Sequence, residues 1–284
     1  MSFASWPAPA KLNLFLHVTG QRPDGYHELQ TLFQLLDWGD EVRIKLLSKP
    51  VISRPRASYA VAEADDLVVQ AASLLQAETS CRQGAEIEVI KRIPSGAGLG
   101  GGSSDAATVL LVLNQLWACE LATDELAAIG LRLGADLPLF IRGHSALAGG
   151  VGEDLCPVEL GERHYLLVDP GIPISTRSVF TDPTLPRNSA RLSMDQALAG
   201  LGKNDCEAVV KARFPAFAKL LSELQQLGDA RMTGTGSAIF IQMPDKKTAK
   251  NRAEQIKCRY NVRAVCGVDK SPLQALLDSG GVRE

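Results

Sequence analysis

Five glycines crowd one short stretch, Pro94-Ser-Gly-Ala-Gly-Leu-Gly-Gly-Gly-Ser-Ser104. Chain this rich in glycine loses much conformational freedom on folding. It is expected where backbone must approach a ligand closely or take positive φ. An alternating run from Ala85 to Ile93 reads as a strand leading into it, and an apolar helix is predicted from about Ser103 to Trp117. That order brings backbone amides, a helix dipole and two serine hydroxyls to one point, which suits phosphate oxygens. A mobile linker is the alternative, and the position between a strand and an apolar helix argues against it. Pro94, Gly96, Gly98, Leu99, Gly100, Gly101, Gly102, Ser103 and Ser104 are therefore the candidate nucleotide-phosphate residues.

The class of phosphate loop is narrowed by what is missing. Gly96, Gly98 and Gly101 match a dinucleotide fingerprint, but a glycine-dense run fits many patterns, and the preceding strands read as antiparallel. A Walker A loop ends in Gly-Lys-Ser/Thr, whereas this one ends Gly102-Ser103-Ser104. The His-Arg-Asp and Asp-Phe-Gly segments of protein kinases do not occur. A phosphate-binding loop of another class remains.

Other residues have types that suit chemistry. Lys11 opens a largely apolar run, Lys11 to Thr19, that reads as a strand. It is either an edge residue keeping its ammonium in water or a charge aimed at a site. Asn13 shares its face if the run is a strand. Asp136 lies in Leu133-Gly-Ala-Asp-Leu-Pro138, just past a predicted helix over 124–133. It is either a turn aspartate or a carboxylate that takes or orients a hydroxyl proton. Tyr26 and His27 follow a Pro-Asp-Gly turn, as a packed hairpin corner or as a stacking ring beside a hydrogen-bonding one. Thr233-Gly-Thr-Gly-Ser237 is a second glycine turn, with Gly234 and Gly236. Arg22 and Asp24 read as turn residues, and His17, His144 and His164 as structural.

Several elements must position these groups. Lys11 to Thr19 is followed by a turn over 20–25, a run from Leu29 to Leu36, extended or in a short helix, and a strand from Glu41 to Leu47. Residues 48–59 read as edge strands and loops. Asp65-Asp66 caps a helix to about Glu78 with Leu67, Ala71, Leu74 and Leu75 facing inward. In the second half, Tyr165 to Asp169 is a strand. Ser193 with Gln196 and Asn204 with Glu207 resemble capping boxes, the latter opening a helix to about Gln226 with a bend at Pro215. A strand over 238–241, a helix over 245–256 and a strand over 261–268 follow. No βαβ period emerges, so two α+β domains are expected, over 1–155 and 156–284.

The 284 residues suffice for two modest cores, and 45% hydrophobic and 22% charged residues exclude a disordered or fibrous chain. A net charge of -2 gives no general nucleic-acid surface or basic membrane anchor. The six cysteines have no CxxC spacing, and the closest pair, Cys258 and Cys266, has no histidine near it, so free thiols in a reducing compartment, the cytoplasm, are expected. Neither a signal peptide nor a membrane span is expected.

Together, Pro9-Ala-Lys-Leu-Asn-Leu-Phe-Leu16, Pro94 to Ser104 and Thr233-Gly-Thr-Gly-Ser-Ala-Ile-Phe240 resemble the three motifs of the GHMP kinases. Arg22-Pro-Asp-Gly-Tyr-His-Glu-Leu29, Gly134-Ala-Asp-Leu-Pro-Leu-Phe140 and Leu185-Pro-Arg-Asn188 narrow this to the branch acting on cytidine diphosphate-linked methylerythritol. The resemblance implies an N-terminal domain like domain 2 of ribosomal protein S5, a ferredoxin-like C-terminal domain, and an active site between them. It implies transfer of the ATP γ-phosphoryl to a substrate hydroxyl, with Asp136 as base and Lys11 beside it as the catalytic residues. Mg²⁺ is expected on the ATP phosphates, with no protein metal ligand assigned. Tyr26 and Phe180 are expected to sandwich a cytosine, with His27 hydrogen-bonding it. Asn13, Thr176 and Gly234 complete the substrate site. Mevalonate- or homoserine-type kinases have no use for a base sandwich, and a non-catalytic sensor has no need of both Lys11 and Asp136. The substrate is expected to be a small molecule, without nucleic acid or membrane, and a homodimer is left open.

Overall fold

The computed structural model describes residues 2–56, 59 and 61–280. In chain order it has β1 (Ala4–Gln21), β2 (His27–Leu47), β3 (Ile52–Ser53), α1 (Leu67–Thr79), β4 (Gly84–Ile90), α2 (Gly101–Leu116), α3 (Thr123–Leu131) and α4 (Leu137–Arg142). Then come β5 (Ala146–Gly149), β6 (Asp154–Pro157), β7 (Arg163–Asp169), α5 (Thr176–Phe180), α6 (Met194–Leu198), α7 (Asp205–Arg213) and α8 (Pro215–Leu224). The chain closes with β8 (Ala230–Met232), β9 (Ile239–Met243), α9 (Lys246–Ile256), β10 (Asn261–Val268) and α10 (Pro272–Asp278).

The strands form one sheet in the order β3-β4-β2-β10-β7-β9-β8, with β1 and β5 also on β2, and β6 on β5. Every pairing is antiparallel except β3 with β4. The two halves of the sheet meet where Gly267 and Val268 pair with Leu36 and Leu35. One core gathers Trp6, Leu35 and Ile44 with the inner faces of α1 to α4. A second packs β7 and β9 against α7 and α8, and takes in Leu16 and Val18 from β1. Among the described residues no helix is long and apolar enough to cross a membrane.

The N-terminal hairpin departs from expectation in its length. β2 is one continuous strand, not two segments either side of residues 37–40. Gly39 allows this, because a Cβ there would lie 1.9 Å from the Ala8 carbonyl oxygen. Only glycine lets the two strands stay this close.

Local signals mostly translate directly. Asp66 caps α1 by accepting from the Val68 amide. The buried face of α1 is Val68, Ala71, Ala72 and Leu75, so Leu67 and Leu74 sit half-buried on its flanks. Ser193 and Gln196 close their capping box. Asn204 caps α7, but Glu207 accepts from the Met232 amide and completes no box. The helix expected to bend at Pro215 is two helices broken at Phe214. Proline lacks an N–H and drives the preceding residue out of the helical region. Within 48–59 the strand is β3, and Ala57 and Ser58 lie outside the described residues.

Sheet pairing also creates a neighbour that sequence spacing hides. His164 stands directly opposite Cys266, and with Glu162 their ligand atoms lie within 4.8 Å of one another. Burial, and Glu162 beside it, push the Cys266 thiol up to about 12.

Candidate active site

The glycine loop is clamped at both ends. Asp40, buried on β2, accepts from the Ile93 amide at 2.7 Å, and its other oxygen meets Lys91. Lys91 also pairs with Asp105, the fifth residue of α2, at 2.8 Å. The end of β4 is thereby tied to the start of the helix across the loop. Burial raises the Asp105 carboxyl to about 8, with Asp40 adding to the shift and the Lys91 ammonium opposing it.

Two of the glycines are required by the protein itself. Gly100 takes φ +73, and a Cβ on it would lie 2.8 Å from Phe140 Cζ and 3.1 Å from Lys11 Cε. Gly98 takes φ +75, and a Cβ would lie 2.4 Å from the Thr233 carbonyl oxygen. The loop therefore fits against β1, α4 and the second glycine turn before any ligand is considered. Pro94 to Ser103 line the cleft. Ser104 does not; it is buried behind the loop, and its hydroxyl has no protein partner.

β1 carries Lys11 and Asn13 between these two loops. The Lys11 amide donates to the Leu99 carbonyl at 3.1 Å, and the Asn13 amide to Thr233 Oγ1 at 2.8 Å. The β1 register shifts between Pro9 and Lys11 and again between Asn13 and Leu16. Lys11 is buried. Its Nζ donates to Asn13 Oδ1 at 2.5 Å, stands 3.5 Å from Asp136 Oδ2 and lies over the Phe33 ring. Asn13 Nδ2 donates in turn to Thr31 Oγ1 at 2.8 Å. Asp136 occupies the residue before α4, yet its side chain makes no capping bond. Its carboxylate is turned to Lys11 instead.

The second glycine turn closes on the first. Gly234 takes φ +58, and a Cβ there would lie 2.9 Å from Gly98 O and 3.3 Å from Asn13 Oδ1. Asn204 Nδ2 donates to the carbonyls of Met232 and Gly234 and holds the turn to the head of α7. Thr176 and Thr235 share a hydrogen bond of 3.0 Å across the cleft wall.

A cavity of about 640 Å³ runs through these groups. Its walls include Lys11, Asn13 and Asp136, Tyr59 and Asp65 to Val68, and Leu29, Thr176 and Phe180. Tyr26 and His27 are not on its wall. Tyr26 is 64% exposed at the hairpin tip. The ring of Phe180 stacks on His27, with centroids 5.1 Å apart and planes at 28°. Arg187 bonds both to His27 and to the chain around Phe180.

Thr31, Arg187 and the group of Asp40, Lys91 and Asp105 were not singled out from sequence. Thr31 had a signal, since it is a polar residue opening an apolar run to Leu36. Arg187 lies in a recognised motif that suggested no task for it.

The family model described as GHMP kinases N terminal domain matches residues 66–144, and that described as GHMP kinases C terminal matches 187–262. The 4-diphosphocytidyl-2-C-methyl-D-erythritol kinase of Shewanella pealeana is 48% identical over 273 residues, covering 96% of each chain. That of Xanthomonas axonopodis pv. citri is 48% identical over 284 residues, covering 99% of this chain and 95% of the relative. A crystal structure of 4-(cytidine 5'-diphospho)-2C-methyl-D-erythritol kinase superposes with a TM-score of 0.80 at 33% identity, covering 93% of this chain and 99% of that one. With two α+β halves meeting at a glycine-lined cleft, and with these matches along its length, the chain belongs to the GHMP kinases, and within them to the 4-diphosphocytidyl-2-C-methyl-D-erythritol kinase family.

Proposed function

We propose that this chain transfers the γ-phosphoryl group of ATP to the 2-hydroxyl of 4-diphosphocytidyl-2-C-methyl-D-erythritol, giving the 2-phosphate and ADP. The observation that carries the reading is the contact of Lys11 with Asp136 on the wall of the glycine-lined cleft. Asp136 takes the proton of the acceptor hydroxyl as its oxygen bonds to the γ-phosphorus and the bond to the ADP oxygen breaks. Lys11 offsets negative charge building on the hydroxyl oxygen and the moving phosphoryl. Asn13 holds Lys11 in place, and Thr31 holds Asn13.

The loop amides and the start of α2 fit the phosphates of ATP, with positive-φ glycines leaving no side chain in the way. ATP supplies the phosphoryl group, and Mg²⁺ on its phosphates lowers their mutual repulsion. His27, Phe180 and Tyr26 form the cytosine end, and Thr176 and Gly234 flank the diphosphate. We take residues 1–155 and 156–284 as the two domains, with the cleft between them, and the cytoplasm as the compartment.

The test is ADP release with Mg-ATP and four acceptors: the cytidyl compound, free methylerythritol 4-phosphate, mevalonate and homoserine. Turnover with the cytidyl compound alone, abolished in Asp136→Ala, is expected. Turnover with another acceptor would overturn the cytosine assignment, and ATP binding without turnover would favour a sensor.

A further inference from the structure

Arg187 spends its donors on one small region. Nη1 donates to the Leu185 carbonyl at 3.1 Å, and Nη2 to the carbonyls of Asp182 at 2.9 Å and Phe180 at 3.3 Å. Nε donates to His27 Nε2 at 3.2 Å. One guanidinium thus holds both rings of the His27 and Phe180 stack. It sets the backbone around Phe180 and the in-plane rotation of the imidazole.

The bond to His27 also decides where a proton sits. Guanidinium nitrogens always carry their protons and only donate. His27 Nε2 must therefore accept, which leaves the ring proton on Nδ1. Among the described residues Nδ1 has no hydrogen-bond partner. His27 is buried, and burial together with the Arg187 charge lowers its pKa from the ordinary value, which favours the neutral ring. On β2, His27 shares a face with Leu29 and Thr31, both of which line the cleft, and its stacking partner Phe180 lines it too.

We infer that Arg187 is a positioning residue that fixes His27 as a neutral Nδ1–H donor stacked on Phe180, and so selects cytosine over uracil. The inference rests on the cytidyl substrate proposed above. Cytosine N3 is an acceptor and takes a hydrogen bond from Nδ1–H. Uracil N3 carries a proton of its own and would face donor to donor. A ring free to change tautomer would meet either base, so the selectivity resides in Arg187 as much as in His27.

The experiment combines two readouts on the full chain. The first is the ¹⁵N spectrum of histidine-labelled protein, with the His27 signals assigned by their loss in His27→Gln. The Nδ1–H pattern is expected in the wild type and should be lost in Arg187→Ala. The second is kcat and KM with cytidyl and uridyl acceptors. Arg187→Ala should lower the cytidine-over-uridine preference about tenfold, the loss of one hydrogen bond's discrimination, through KM more than kcat. Arg187→Lys keeps a charge and a donor, should restore part of the preference, and provides a folded comparison if the alanine variant melts early. An Nε2–H pattern in the wild type overturns the inference. So does a lost Nδ1–H pattern with an unchanged base preference. If neither acceptor is turned over, the substrate reading fails and the base selection with it, while the spectrum still reports what Arg187 does to the ring.

Discussion

Lys11 Nζ stands 3.5 Å from Asp136 Oδ2, although the lysine lies on the first strand and the aspartate immediately before a six-residue helix. Lys11 is buried and Asp136 is one-third exposed toward the cleft, so the ammonium is fixed while the carboxylate can meet a substrate. Removing either charge should strike the chemical step. Asp136→Asn and Lys11→Met are expected to lower kcat by roughly 10²- to 10⁴-fold, the range for a positioned acid, base or charge. ATP affinity, measured by titration, should change little in both. Unchanged kcat in Asp136→Asn would remove it from the reaction.

Gly98 and Gly234 hold the two glycine turns in contact. Gly98→Ala places a Cβ against the Thr233 carbonyl at a positive φ. The expected loss is about 1–3 kcal/mol of stability from the strained conformation and the clash, read from urea unfolding. ATP binding should weaken in the same variant, because the turns must separate. Gly161→Ala is a fair control. Its φ is also positive, but nothing lies within 4 Å of the added carbon.

Asp105 gives the fold a pH dependence of calculable sign. Its carboxyl is raised to about 8 by burial, with Asp40 beside it, whereas an unfolded aspartate titrates near 4. Between these values the folded chain keeps a proton that the unfolded chain releases. The contribution of this group to stability therefore falls as pH rises from about 4 to about 8. Asp105→Asn removes that titration. Unfolding free energies between about pH 5 and 8 should decline less steeply in the variant than in the wild type, and parallel slopes would refute the assignment.

Asn204 caps α7 and holds the second glycine turn with the same side chain. Asn204→Ala should cost about 1–2 kcal/mol for the lost cap, seen as a lower Tm. It also frees the carbonyls of Met232 and Gly234, so KM for the acceptor should rise. Asn204→Asp keeps the cap but donates to neither carbonyl. It is expected to recover the Tm better than the KM.

Much of the local structure was legible because its signals fit in short windows. The glycine loop between a strand and an apolar helix, the caps at Asp66, Ser193 and Asn204, and the break near Pro215 each depend on neighbouring residues alone. The types of the site residues were also legible, since a lysine in a largely apolar strand and glycines at such density are rare without a task.

What only the tertiary structure decided is which distant groups meet. The β1 register and its bulges set Lys11 on Asp136, Asn13 on Thr31 and the Asn13 amide on Thr233. Glu207 left its capping box for the Met232 amide, His27 came to stack on Phe180, and His164 came to face Cys266. The physical reason is common to all three. Helix periods and caps are settled within a few residues, whereas partners across a sheet or cleft depend on how both halves bury their apolar faces at once. The residues at the site belonged to the sequence; their distances belonged to the packing.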